Sequence, residues 1–246
     1  KERRSAVNLV NGGKADFSLY ALGSGSDYTP FIQHAGIAAL NLGFGGENAG
    51  GEYHTIYDTY PHYKRFKDPE FAYGIALANT AGRISLRLVN ADVLPFEFKQ
   101  WHKTVSVYLE EVMKTCKTMR KEVEKHNNMV DKNVFELAAD PRKPFKKPLR
   151  KEAVPYLDFT PLQNAMASLK PSIAAFSKMN IADLSVTKRN DLNKKLMLAE
   201  QVLTSESGLP RRSWYKHQIY APGFYTGYGV KTLPGVREAI EQKNWK

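Results

Sequence analysis

The rhythm of hydrophobic and polar positions changes near residue 95. Before it, short apolar runs alternate with helical patterns. Residues 17–22 have strand length and β-prone side chains and end at Gly23-Ser24-Gly25-Ser26. Asp27 is placed to cap a helix over 28–35, with Pro30 in its first turn and Gly36 as its stop. Ile37-Ala38-Ala39-Leu40-Asn41-Leu42 is almost continuously apolar, which predicts a strand buried on both faces of a parallel sheet. A glycine-rich loop over 43–51 then leads to Tyr53-His54, so strand, turn, helix and strand make one βαβ unit. A longer helix is predicted from Pro69 to about Val89, capped by Asp68.

After Pro95 the pattern predicts no strand. Trp101, Val105, Leu109, Val112, Cys116, Met119 and Val123 recur at three- and four-residue steps, as on one face of a helix. Thr160-Pro161 opens a second stripe of Leu162, Met166, Leu169, Ile173 and Phe176, which Pro171 should kink. A third carries Leu192, Leu196, Ala199 and Leu203 and stops at Gly208. Pro234 opens a fourth, which reaches Lys246 in mid-pattern, so more chain is expected beyond it. The expected architecture is α/β over 1–94, followed by an all-α helical bundle over 95–246.

Composition adds exclusions. Apolar residues make up 42% and charged residues 25%, as in an ordinary globular protein. No stretch approaches the roughly 18 apolar residues of a membrane span. Cys116 is the only cysteine, so packing and not an internal disulfide must hold the fold. The first residues have no signal-peptide pattern, so a secreted or periplasmic location would need a targeting segment upstream.

The charge of +11 is uneven: residues 1–95 hold nine Lys/Arg and nine Asp/Glu, and residues 96–246 hold 27 and 16. A basic half raises the reading of a helical nucleic-acid binder, which a steep salt dependence would mark. The densest cluster, over 142–151, is broken by Pro144 and Pro148 and reads as an extended linker. A lysine-rich solvated surface is therefore preferred, and no nucleic-acid partner is expected.

For chemistry the candidate is Tyr53-His54-Thr55. A lone histidine is more often a surface or hydrogen-bonded residue than a ligand. Here it follows a predicted buried strand through a flexible loop, where ligands of open α/β sheets sit. The turn over 22–27 also follows a strand and precedes a helix, so its amides would face the same crevice.

Several ordered motifs carry a resemblance. Ser26-Asp27-Tyr28-Thr29-Pro30-Phe31, Gly36-Ile37-Ala38, Tyr53-His54-Thr55-Ile56-Tyr57-Asp58-Thr59, Phe66-Lys67-Asp68-Pro69 and Val93-Leu94-Pro95-Phe96 resemble the C-terminal series of aminopeptidase-type two-zinc exopeptidases. With Gly208-Leu209-Pro210 and the run from Tyr215 to Pro222, they resemble the branch containing glutamate carboxypeptidase II and the transferrin receptor. The resemblance runs from about Leu22 to the end. It implies a hydrolytic exopeptidase, two zinc ions, a peptide substrate and a homodimer formed through the helical domain. His54 would be the terminal zinc ligand, and Tyr53 would steady the oxyanion of the tetrahedral intermediate. Ser24, Gly25 and Ser26 would line the substrate cleft, and Tyr228 would bind the substrate's terminal carboxylate. Asp27, Tyr57, Asp58 and His217 are read as structural.

Departures narrow this expectation. Family members specific for acidic dipeptides carry arginines at the positions of Asn41 and Gly43, a lysine at Gly227 and an asparagine at Ser26. The other zinc ligands and the general base would lie upstream, so this chain alone is expected to be inactive. The alternative is a non-catalytic receptor-like homologue used for binding and dimerisation; retention of Tyr53-His54 argues against it.

Overall fold

The computed structural model describes residues 20–44 and 51–245. Its longer helices are α1 (Ala72–Val89), α2 (Phe98–Asp131), α3 (Thr160–Ser177), α4 (Val186–Met197) and α5 (Pro234–Glu241). Two short strands, β1 (Tyr220–Pro222) and β2 (Val230–Thr232), pair antiparallel, with Ala221 opposite Lys231. The chain divides into two compact units. One contains the described residues up to Gly25, Glu97–Met179 and the chain from Leu203 onward; the other contains Ser26–Phe96 and Asn180–Val202.

The first unit is organised on α2, whose 34 residues make a rod about 50 Å long. Val105, Leu109, Val112, Cys116 and Val123 of the predicted stripe are buried along it, Val130 extends it, and Trp101 and Met119 are half-buried. Val112, Cys116 and Val123 join Val154 and Ile240 in the core, with Met119, Leu157, Phe159, Leu233 and Trp245 packed around them. Each large apolar side chain buried this way stabilises by about 1.5–3 kcal/mol. α3 docks through a 2.8 Å contact between His102 Nε2 and the Met166 carbonyl, and Phe98 meets Phe176 edge to face. Thr160 and Pro161 open α3 as the sequence predicts, and the helix runs through Pro171 without ending. α5 starts at Pro234 and is tied to α2 by Arg237 and Glu111 at 2.9 Å.

The basic, proline-broken cluster is extended and pinned to α2. His126 Nε2 lies 2.9 Å from the Leu149 carbonyl, and Arg150 pairs with Asp131. Arg120 donates to the Pro155 carbonyl at 2.7 Å. Polar side chains of α2 thus satisfy the backbone of a segment that has no ladder of its own.

Two expectations for this region are corrected. The hairpin of β1 and β2 stands where no strand was predicted: three residues are too few to show alternation, and Pro222 argues locally against a strand. The third helix ends at Met197, with a further 3-10 turn over Gln201–Leu203, so Gly208 is not its stop. Gly208 instead has φ 66°, in a turn so tight that a Cβ would lie 2.2 Å from the Ser213 carbonyl oxygen.

In the second unit α1 starts at Ala72 with Phe71 at its N-cap position, which corrects the start predicted at Pro69 with Asp68 as cap, although Asp68 still serves the first turn of the helix. The buried Asp68 carboxylate accepts from the Gly74 amide at 2.9 Å and the Tyr73 amide at 3.3 Å. Asn193 of α4 clasps the chain at 92–94, accepting from the Leu94 amide at 2.9 Å and donating to the Asp92 carbonyl at 3.0 Å. The helix predicted over 28–35 is a π-helix, Pro30–Ala35, with Thr29 and not Asp27 at the N-cap position and no side-chain capping bond; Gly36 closes it at φ 63° as expected.

Residues 37–42 form no strand, which corrects the βαβ expectation for them. Ile37, Leu40 and Leu42 are 46%, 65% and 41% exposed. A run of this kind becomes a parallel strand only when neighbours offer ladders on both sides, and β1 and β2 are the only paired strands among the described residues. Residues 20–22 are not a strand either, and 17–19 and 45–50 lie outside the described residues. Among the described residues no helix is long and apolar enough to cross a membrane.

Candidate functional site

Tyr53 and His54 stand on a turn of the second unit. The Glu52 carbonyl accepts the Thr55 amide at 2.9 Å and the Thr55 hydroxyl at 2.7 Å, and Thr55 O accepts the Asp58 amide at 3.1 Å. The turn places His54 at φ 58°, a left-handed conformation that histidine adopts more readily than most residues. The two rings stack, centroids 3.9 Å apart and planes 20° apart, and both side chains are exposed. Beside them Glu52 pairs with Lys67 at 2.6 Å, and that hydrogen-bonded ammonium holds the Glu52 carboxyl below its usual range.

The zinc that the resemblance implies can be tested on the donors present. A structural or catalytic zinc takes three or four protein donors. Among the described residues no three His, Cys, Asp or Glu side chains come together to hold a metal. An exposed imidazole on an ordered turn suits one ligand, so His54 fits as a single member of a shared site. The described residues do not make a complete one.

The remaining candidates gather elsewhere. The Ser24 amide donates to the Tyr228 carbonyl at 3.3 Å, so residues two hundred positions apart are neighbours in the first unit. Gly23 makes this approach possible, since a Cβ there would lie 2.5 Å from the Tyr228 carbonyl oxygen. Gly25, at φ 145°, faces the Tyr228 side chain, whose Cβ would be 3.5 Å from a Cβ on residue 25. The Tyr228 side chain is 65% exposed. The structure therefore brings Ser24, Gly25 and Tyr228 together in the first unit, while Ser26, Tyr53 and His54 belong to the second. Ser26 accepts the Thr29 hydroxyl at 2.8 Å through its carbonyl.

His217 is fully buried, stacked on Tyr220 with centroids 4.3 Å apart. Its Nδ1 accepts from the Ile219 and Tyr220 amides at 3.3 and 3.4 Å, which agrees with a structural role.

Comparison with known proteins adds a lineage. Residues 157–246 match the transferrin receptor-like dimerisation domain. The chain is 30% identical over 219 residues to a probable glutamate carboxypeptidase of Arabidopsis thaliana, covering 89% of this chain and 27% of that protein. Along most of its length the chain is therefore similar to proteins named as probable glutamate carboxypeptidases, and its last part to the transferrin receptor-like dimerisation domain. A probable glutamate carboxypeptidase of Arthroderma benhamiae is 29% identical over 246 residues, covering 96% of this chain and 28% of the relative. An aminopeptidase of Mus musculus is 28% identical over 228 residues, covering 90% and 26%. The chain thus spans about a quarter of the length of the curated relatives it matches.

Within this glutamate carboxypeptidase-like chain, the supports of the Tyr228 loop escape sequence reasoning. Glu238 and Arg212 pair with side chains 12% and 11% exposed, and the Phe224 amide donates to Glu238 at 2.7 Å. Glu238 sits 14 residues from Phe224 and 26 from Arg212. The adjacent Arg211-Arg212 pair is the one local signal that could have drawn notice.

Proposed function

We propose that this chain is the C-terminal portion of a two-zinc exopeptidase that hydrolyses peptide bonds of small peptides. His54 contributes one ligand, and Tyr53 donates a hydrogen bond to the developing oxyanion. Ser24, Gly25 and Ser26 line the substrate cleft, and Tyr228 binds the peptide's terminal carboxylate. Zinc, when bound by His54 together with upstream ligands, supplies an activated water as nucleophile. The chain's own groups then orient the substrate and stabilise charge, and the chain is inactive alone.

The observation that carries this reading is the contact between Ser24 and Tyr228. Both were assigned to one cleft from motifs far apart in sequence, and the Ser24 amide reaches the Tyr228 carbonyl. The relatives' names support a peptidase. Helix-domain homodimerisation is supported by the dimerisation-domain match and by α3, where Leu162 and Leu169 are each 38% exposed.

The test is a peptidase assay of the protein with its upstream residues. Tyr53→Phe is expected to lower kcat by about a hundredfold or more with KM little changed, as for removal of an oxyanion donor. An unchanged kcat would refute the role of Tyr53.

A further inference from the structure

We infer that Glu238 is a positioning residue for the Tyr228 loop, acting through the Phe224 amide and the Arg212 guanidinium. The inference rests on the reading of Tyr228 as a substrate contact. Residues 223–229 link two strands of three residues each, too short to fix a loop by themselves. Gly223, Gly227 and Gly229 loosen the loop further. Its internal bonds are local: the Gly223 amide to the Gly229 carbonyl at 2.9 Å, and the Gly229 amide to the Thr226 carbonyl at 3.0 Å. These bonds shape the loop without fixing where it stands.

Besides the Ser24–Tyr228 contact, the anchorage comes from α5 and the turn at 211–212. Glu238 divides its carboxylate: Oε1 accepts the Phe224 amide at 2.7 Å, and Oε2 pairs with Arg212. Arg212 also donates to the Pro222 carbonyl, the last residue of β1. The Arg211 guanidinium lies 4.0 Å from the Phe224 ring centroid and donates to Gln242 of the segment following α5. Charge-assisted bonds at a nearly buried carboxylate are strong and directional. A pair that only stapled α5 to residues 211–212 would leave the loop backbone alone; this one holds Phe224, four residues before Tyr228. Sequence placed neither Glu238 nor Phe224 near the site.

The experiment is amide hydrogen exchange and steady-state kinetics on the full-length protein. In the unmodified protein the Phe224 amide is expected to be protected. Glu238→Ala should speed exchange across 223–229 by about tenfold or more and leave α2 unmoved. It should also raise KM several-fold, with kcat within about twofold. Glu238→Gln keeps an acceptor oxygen for the Phe224 amide but loses the charge facing Arg212, so its loop should exchange measurably faster than in the unmodified protein and slower than in the alanine variant; it carries the test if the alanine variant does not fold. An unprotected Phe224 amide in the unmodified protein, or loop exchange unmoved in both variants, would overturn the positioning role. A loosened loop with unmoved KM would overturn the functional part of the proposal through the Tyr228 reading, leaving the anchorage itself established.

Discussion

Asn127 and Lys151 hold each other from both sides. The Asn127 Nδ2 donates to the Lys151 carbonyl at 2.9 Å, and the Lys151 amide donates to Asn127 Oδ1 at 2.8 Å. Asn127 sits on the buried face of α2, only 9% exposed, so both partners would be unsatisfied if either were lost. The pair lies where the basic segment must be kept against the helix. Asn127→Ala is therefore expected to cost about 1–3 kcal/mol, read as a lower urea midpoint. Lys143→Ala, exposed on the same segment, should stay within about 0.5 kcal/mol. Equal midpoints for the two variants would contradict the clamp.

The Gly23 contact predicts a different lesion. A methyl group there must displace the Tyr228 carbonyl, so Gly23→Ala should cost about 1–3 kcal/mol and lower Tm. Gly227→Ala meets open space and is penalised only by its φ of 58°, about 1–2 kcal/mol. A Tm unchanged in Gly23→Ala would mean that the turn and the loop are not held together in solution.

Much of the helical part was legible in the sequence. Thr160-Pro161 and Pro234 opened helices where proline's fixed φ suits the first turn, and the stripe of Val105, Leu109 and Val112 found the core. The run from Ile37 to Leu42 misled because continuous hydrophobicity reports demand for burial, and a sheet answers that demand only where neighbouring strands exist. Only the family resemblance puts Ser24 and Tyr228 in one cleft, since contacts of such separation leave no local periodicity. Asn127 was silent for the same reason: its partner is a backbone 24 residues away.

Asp68 gives the acid side of stability a named contributor. Burial raises its carboxyl's pKa, but hydrogen bonds from the Gly74 and Tyr73 amides and the Tyr63 hydroxyl outweigh that, and the group is held below its usual value. A carboxyl depressed on folding stabilises fully above its unfolded pKa, and that stabilisation is lost as pH falls through the lower folded value. Asp68→Asn should therefore lower Tm at neutral pH and flatten its fall between about pH 4 and the acid limit. Parallel Tm curves for variant and unmodified protein would contradict this.

The proposed peptidase function carries an expectation about substrate, because none of Asn41, Gly43 and Gly227 carries a charge. Gly227 has a left-handed φ of 58°, so a lysine is disfavoured at that position by the loop itself. Activity of the full-length protein is expected to favour neutral over acidic C-terminal residues. A strong preference for C-terminal glutamate in a dipeptide panel would contradict it.

The role proposed for His54 is tested most directly by the zinc content of the full-length protein before and after His54→Ala, measured on folded, metal-equilibrated samples. Two zinc ions per chain are expected in the unmodified protein, and about one fewer in the variant, with the helical core still folded. Unchanged zinc stoichiometry in His54→Ala would contradict the assignment of His54, and with it the reading of this chain as part of a two-zinc peptidase site.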